Sequence, residues 1–407
     1  MGWRLARLRR ARDRRSRGGI ALIVVIAALM ILTKLVVDID FGTRVRFVAA
    51  SHSRDGTQAY WIANSGVSLM RLVLMGNKQL NDYVKSNKTI QEYFSEMGLP
   101  TNDLLLTYLP FINTGLLRMM FVGGGSLDED EVRDLAAGGE LDEETVSESR
   151  TGGTSKFKNR NFLDFEGDFS VQAEGEDCKI NISGLANHSD PITDDPVYEM
   201  LAALMSGEEN EMWLRDRNLR PEELIGNLAD WVDADNTVAS GAGSYEDNYY
   251  NRLDSPYVAK NAAFDSKQEI RLVEGWQDAV FERWGDKITI YGSKKINIAC
   301  TDEEIVKMML RAWGGVSTDA EAEQVLQGLA QWKADGNVVA SCSDFKTAVE
   351  TKAGITMDED FTSYCTAKNT VYSVVSTGSV GDVTVTITAV VDQSSSTAGR
   401  VKYWRVE

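Results

Sequence analysis

The residues best arranged for chemistry are acidic. Asp230, Asp233 and Asp235 fall at i, i+3 and i+5, and Glu246 and Asp247 follow across a Gly-rich stretch containing Gly241 and Gly243. Carboxylates spaced this way can converge on one hard cation. Ca²⁺ takes six to eight oxygen ligands in flexible geometry, which a glycine-rich loop can supply. An EF-hand register fails, because counting from Asp233 puts Val238 at the sixth position and Ser244 at the twelfth. A two-carboxylate hydrolase is the competing reading, but no nucleophile, histidine or phosphate cradle accompanies the acids. The plainest alternative is helix termination by local side-chain hydrogen bonds.

The remaining chemically distinctive side chains are few. Cys178, Cys300, Cys342 and Cys365 form no C-x-x-C pair, and only His52 and His188 offer imidazole, so a structural zinc site is not expected. In an extracytoplasmic compartment four cysteines suggest up to two disulfides with three connectivities open. Cys178–Cys300 with Cys342–Cys365 is one of them, and free buried cysteines are the alternative.

The acids sit at the end of a predicted helix whose apolar face carries Leu224, Leu228 and Trp231. That helix belongs to a segment of helical patterning over 186–286, flanked by two near-identical runs, Lys179-Ile-Asn-Ile and Lys295-Ile-Asn-Ile. The simplest architecture is one sheet entered and left by these two strands, with an all-helical domain inserted between them and 287–300 as the return strand. Thr301 reads as the N-cap of the next helix, with Asp302, Glu303 and Glu304 behind it. Residues 301–366 continue as helix. From 367 to 407, three β-rich runs (370–375, 383–391 and 400–406) suggest an antiparallel meander closing the same sheet. Residues 77–185 form the first part of that domain, interrupted at 123–165 by an acidic, Gly-containing stretch that reads as a flexible loop. The hairpin-like Glu269–Trp276 segment has Glu274, Asp278, Glu282 and Asp286 around it, which suits packing and not a DNA backbone.

The 407-residue, 45.0 kDa chain has a net charge of −18. Residues 1–19 hold eight Arg and one Asp, so the remainder carries 35 basic and 60 acidic residues, a net of −25. Such a body repels phosphate backbones, and nucleic acid is not an expected partner.

The N-terminus is distinctive in a different way. The basic leader ends at Gly18-Gly19, and an apolar run begins at Ile20, passes Leu22, Val24 and Leu32, and ends at Val37. Eighteen residues at ~1.5 Å each span about 27 Å, close to the ~30 Å hydrocarbon core. The arginines hold the N-terminus in the cytoplasm and send the body across. Three fates compete: removal of a secretory signal at Val48-Ala49-Ala50, a permanent anchor, and cleavage after Gly19 that leaves the apolar helix on the mature chain. The first requires Asp38, Asp40, Arg44 and Arg46 to lie between the apolar run and the cut.

A basic leader ending in Gly and followed at once by an apolar helix resembles the prepilin signal of type IV pilins and type II secretion pseudopilins. In that family a prepilin peptidase cuts after the Gly and methylates the new amine, here on Ile20. The family's usual Glu at mature position five is replaced by Val24, as in the K-class minor pseudopilins, which lack it. A lone carboxylate in lipid is expensive unless a neighbour's amine neutralises it. Gln58–Gly66 is similar to the aromatic-alanine patch of K-class proteins, and Leu224–Asp235 to their DW-D-D motif, continued by Tyr245-Glu246-Asp247, Tyr249-Tyr250, Tyr257, Asn261 and Glu269–Val273. The final Val-Lys-Tyr-Trp-Arg-Val-Glu is similar to K-class C-termini.

The resemblance implies an α+β fold. It would have a long N-terminal transmembrane helix over 20–76, about 85 Å at ~1.5 Å per residue, a pilin-like domain with an antiparallel sheet, and the large inserted helical domain. It implies a non-enzymatic minor pseudopilin at the tip of the pseudopilus, acting in filament assembly and export of folded proteins. It also implies Ca²⁺ binding, and a single pass of the bacterial inner membrane with the body in the periplasm. The implied partners are I- and J-class minor pseudopilins, other pseudopilins, prepilin peptidase and the secreted substrates. A type IV pilus minor pilin and a signal-anchored periplasmic metalloenzyme using Asp230, Asp233 and Asp235 are the alternatives.

Overall fold

The computed structural model describes residues 3–96, 102–117, 165–235, 237–239, 247–299 and 302–407, with side chains from Ala21 onward except at 92, 95, 96, 247 and 248. Helix α1 (Trp3–Ser86) is followed by α2 (Lys88–Glu96) and α3 (Leu104–Tyr108). Five strands, β1 (Phe111–Asn113), β2 (Asp168–Gly175), β7 (Val371–Val380), β8 (Val383–Asp392) and β9 (Arg400–Val406), form one antiparallel sheet in the order β1-β2-β7-β8-β9. Mixed helix and sheet with a long apolar first helix is the fold class the sequence implied.

The second half of α1 lies against this sheet because its inward stripe is small. Ala59, Ala63 and Gly66 stand on one face at i, i+4 and i+7. The β7 backbone comes so close that a Cβ on Gly378 would sit 2.3 Å from the Ala59 carbonyl and 2.6 Å from the Ala63 nitrogen. Ser376 Oγ donates to the Ala63 carbonyl at 2.8 Å. Below this seam Val67, Met70 and Leu74 pack with Phe169, Val171, Val374, Ile387, Ala389 and Val391 in the sheet's core. The helix extends ten residues past the expected end at 76, to Ser86.

The second body fills the connection between β2 and β7. It comprises β3 (Ile180–Asn181), α4 (Pro196–Met205), α5 (Glu208–Asp216), α6 (Pro221–Val232), α7 (Asp247–Tyr250) and α8 (Asp278–Trp284). After these come β4 (Ile288–Thr289), β5 (Ile296–Asn297), α9 (Glu303–Trp313), α10 (Asp319–Ala334), α11 (Cys342–Ala353), α12 (Phe361–Tyr364) and β6 (Cys365–Thr366). One hydrophobic core runs through all of it, from Ile180 to Cys365.

Two expectations are corrected here. The twin Lys-Ile-Asn-Ile runs neither pair with each other nor join the large sheet: β3 pairs in parallel with β4, and β5 in parallel with β6. Their likeness is local. In each the isoleucines are buried, and the Asn Oδ1 accepts the N–H two residues on, Ser183 at 3.1 Å and Ala299 at 3.0 Å. That Asx turn stops the strand after two residues, and packing around it then decides the partner. Residues 287–300 are therefore not a return to the sheet, and 301–366 share the helical core. The chain leaves the sheet after Gly175 and re-enters at Val371, next to where it left, since Gly175 pairs with Tyr372. The second correction is the cap of α9: Asp302 accepts from Glu304 and Ile305, and Thr301 lies outside the described residues.

Candidate functional site: the Asp230 loop and the uncovered anchor

Helix α6 starts with Pro221 at its first position and Glu222 and Glu223 in its first turn, both favourable at a helix N-terminus. Leu224, Ile225, Leu228, Ala229, Trp231 and Val232 are buried, and Trp231 Nε1 donates to Glu269 Oε1 at 2.9 Å. Burying this face pulls the acids at the helix end inward with it. Asp230 is 5% exposed and Asp233 6%.

Their partners differ. Asp230 Oδ1 accepts the Ala239 N–H at 2.7 Å, and Asp235 Oδ1 accepts the Thr237 N–H at 2.7 Å, so both shape the turn after α6. Among the described residues, neither carboxylate oxygen of Asp233 has a hydrogen-bond partner of ordinary geometry. Its nearest counter-group is His188 Nε2, 3.5 Å from Oδ2. His188 Nδ1 donates to the Ser189 carbonyl at 2.8 Å, which holds the ring in place. In the sequence His188 is distinctive only as one of two imidazoles. No local signal ties it to an acid 45 positions later.

Burial pushes the Asp230 carboxyl up to about 7, with the Ala239 N–H opposing the rise and the Asp233 charge adding to it. Asp233 is also raised, by burial and then by the Asp235 charge. Two buried carboxylates that repel each other are oxygen donors of the type a hard cation takes. Among the described residues, no three His, Cys, Asp or Glu side chains gather closely enough to hold a metal ion. Glu246 and the side chain of Asp247, expected to complete the set, lie outside them.

The other candidates fall elsewhere. Cys342 and Cys365 are joined by a disulfide with a Cα separation of 6.1 Å, tying the start of α11 to β6. Cys178 is disulfide-bonded, and Cys300 lies outside the described residues. Gly19 and Ile20 are on the α1 backbone, with their side chains outside the described residues. Leu22, Val24, Leu32 and Val37 are all exposed on α1. Among the described residues this is the helix long and apolar enough to cross a membrane, and none of its apolar window is covered by the rest of the chain.

Residues 178–293 match the family described as type II secretion system (T2SS), protein K. The match lies wholly within the helical body and contains Asp230, Trp231, Asp233 and Asp235. A search of curated proteins found no match. Among solved structures, a chain from the GspK-GspI-GspJ complex of the enterotoxigenic Escherichia coli type 2 secretion system is similar at 15% identity and a TM-score of 0.40. The alignment covers 60% of this chain and 80% of that one. At that distance it transfers no residue role. The likeness to the type II secretion system protein K family therefore rests on residues 178–293.

Proposed function

We propose that this chain is the end subunit of a type II secretion pseudopilus, acting in filament assembly and protein export with I- and J-class minor pseudopilins as direct neighbours. The observation that carries the reading is the position of the helical body relative to the anchor. Along α1, Ala59 and Ala63 meet Gly378, while Asn77, further from the anchor, shares Asp103 with Tyr372. β7 thus runs antiparallel to α1, and the insertion joins the sheet at the end remote from the apolar segment. A bulky body there blocks stacking of another subunit above it, whereas α1 remains free to lie among neighbours below.

Prepilin peptidase cleaves after Gly19 and leaves Ile20 as a methylated amine in the inner membrane, and the body stands in the periplasm. Val24 suits a top subunit, since no amine above it calls for a carboxylate. We also propose Ca²⁺ at the Asp230 loop: Asp230 and Asp233 would hold it with Asp235, Glu246 and Asp247, and the ion would supply positive charge beside the two buried acids.

Peptide mass spectrometry of the protein from native membranes tests the reading. A mature chain beginning at methylated Ile20, and loss of exoprotein secretion on deletion with piliation intact, are expected. A chain beginning at Ser51, or one keeping residues 1–19 beside an active prepilin peptidase, would overturn it.

A further inference from the structure

The five-stranded sheet ends at β1, three residues long, and at β9, seven residues long, whose outer side is unpaired among the described residues. An open edge offers unpaired N–H and C=O groups to another chain. The ladder decides which groups these are. Glu407 and Thr386 exchange both backbone bonds at 2.9 Å. Bonded and non-bonded pairs alternate in an antiparallel ladder, so Arg405 and Tyr403 also turn toward β8. The N–H and C=O of Trp404 and Val406 then point outward. On β8 the opposite parity faces β7, as the Gln393 N–H bonded to the Thr370 carbonyl at 2.8 Å requires.

Side chains add selectivity to this edge. Trp404 and Val406 stand opposite Ala389 and Ile387, on the face that α1 covers, yet they remain 39% and 46% exposed. The helix therefore leaves this margin bare. Arg400, Lys402 and Arg405 are exposed within the same seven residues, in a body whose net charge is −25. Lys402 lies 3.5 Å from Asp392, and Arg405 pairs with Glu407, both on the chain's own side of the edge. A second copy laid antiparallel here would set cations against cations, which is unfavourable across strands, whereas an acidic strand is complementary.

We propose that β9 docks an acidic edge strand of a neighbouring pseudopilin by strand addition. The backbone groups of Trp404 and Val406 make the ladder, and Arg400, Lys402 and Arg405 select the partner's charge. That the neighbour is a pseudopilin rests on the function proposed above.

The test uses the full-length protein in detergent with the I- and J-class minor pseudopilins of the same system, read by hydrogen exchange and by binding affinity. In the complex the Trp404 and Val406 amides slow at least tenfold. Val406→Pro removes an outward donor at an edge position where proline is tolerated and weakens binding about tenfold, in keeping with one lost hydrogen bond. Its Tyr403 and Arg405 amides keep their native protection, which separates lost docking from a lost strand. The double variant K402E/R405E weakens binding without touching the backbone. A complex that forms while Trp404 and Val406 exchange freely overturns this proposal and leaves the proposed function standing. Protection that grows with the concentration of this chain alone makes a second copy the occupant and also overturns it. Binding of no pseudopilin at all removes both.

Discussion

At the residue scale, the structure depends on a few acids, half-buried or buried, with very different surroundings. Asp103 is saturated: Oδ1 accepts from Asn77 at 3.0 Å and Tyr372 at 3.0 Å, and Oδ2 accepts from the Asn369 side chain at 3.1 Å. It joins the end of α1 to the point where the chain re-enters the sheet. Asp103→Ala strands the buried donors of Asn77 on α1 and Tyr372 on β7 and should cost about 3 kcal/mol in equilibrium unfolding. Asp233 is the opposite case, with no partner of ordinary geometry among the described residues, beside an Asp230 carboxyl pushed up to about 7, chiefly by burial. An acid whose folded pKa lies above its unfolded value costs stability as pH rises between the two, because only the folded state must ionise a buried group. In chelator, Tm should therefore fall from about pH 4 to about pH 7 through this group. Calcium should raise Tm more at about pH 8 than at about pH 5, since it binds the ionised acids. Asp230→Asn should flatten both dependences in calorimetry. A calcium gain of equal size at both pH values would count against the site.

At the element scale, the α1–β7 seam relies on residues without bulk. Gly378→Val would put carbon onto the Ala59 carbonyl, a backbone contact that cannot yield. We expect a loss of about 3 kcal/mol or more, with faster amide exchange in the second half of α1, while the helical body keeps its protection. The disulfide acts in the other body. Cys342 and Cys365 are 23 residues apart, and closing a loop of that size is worth about 3 kcal/mol in the chain-entropy account. Cys342→Ser should lower the helical body's stability by roughly that amount and leave exchange in the large sheet unchanged.

For the whole molecule, the two cores are built separately, and the chain passes from one to the other and back at neighbouring points. The chain leaves β2 at Gly175 and re-enters β7 beside it, so residues 176–370 can be replaced by a short turn without moving either strand. We expect that shortened chain to keep α1 and the five-stranded sheet, as read by circular dichroism and amide exchange. A molten product would show that the sheet depends on the helical body beyond the contacts around Asp103.

The sequence alone determined the features that rest on local pattern. An apolar run of membrane length behind eight arginines, the aromatic-alanine patch Gln58–Gly66, and the Leu224–Asp235 helix end are all written in consecutive residues. So are the three final strands, because their hairpins pair neighbours in the chain. Tertiary structure decided what depends on distant partners. Two identical Lys-Ile-Asn-Ile runs take different strands, since a two-residue strand carries too little information to specify its mate. The sheet's contiguity across 176–370 is likewise invisible locally. So are the meeting of His188 with Asp233 and the choice of β9 as the open edge, which exist only once separate elements have packed and one strand is left without a neighbour.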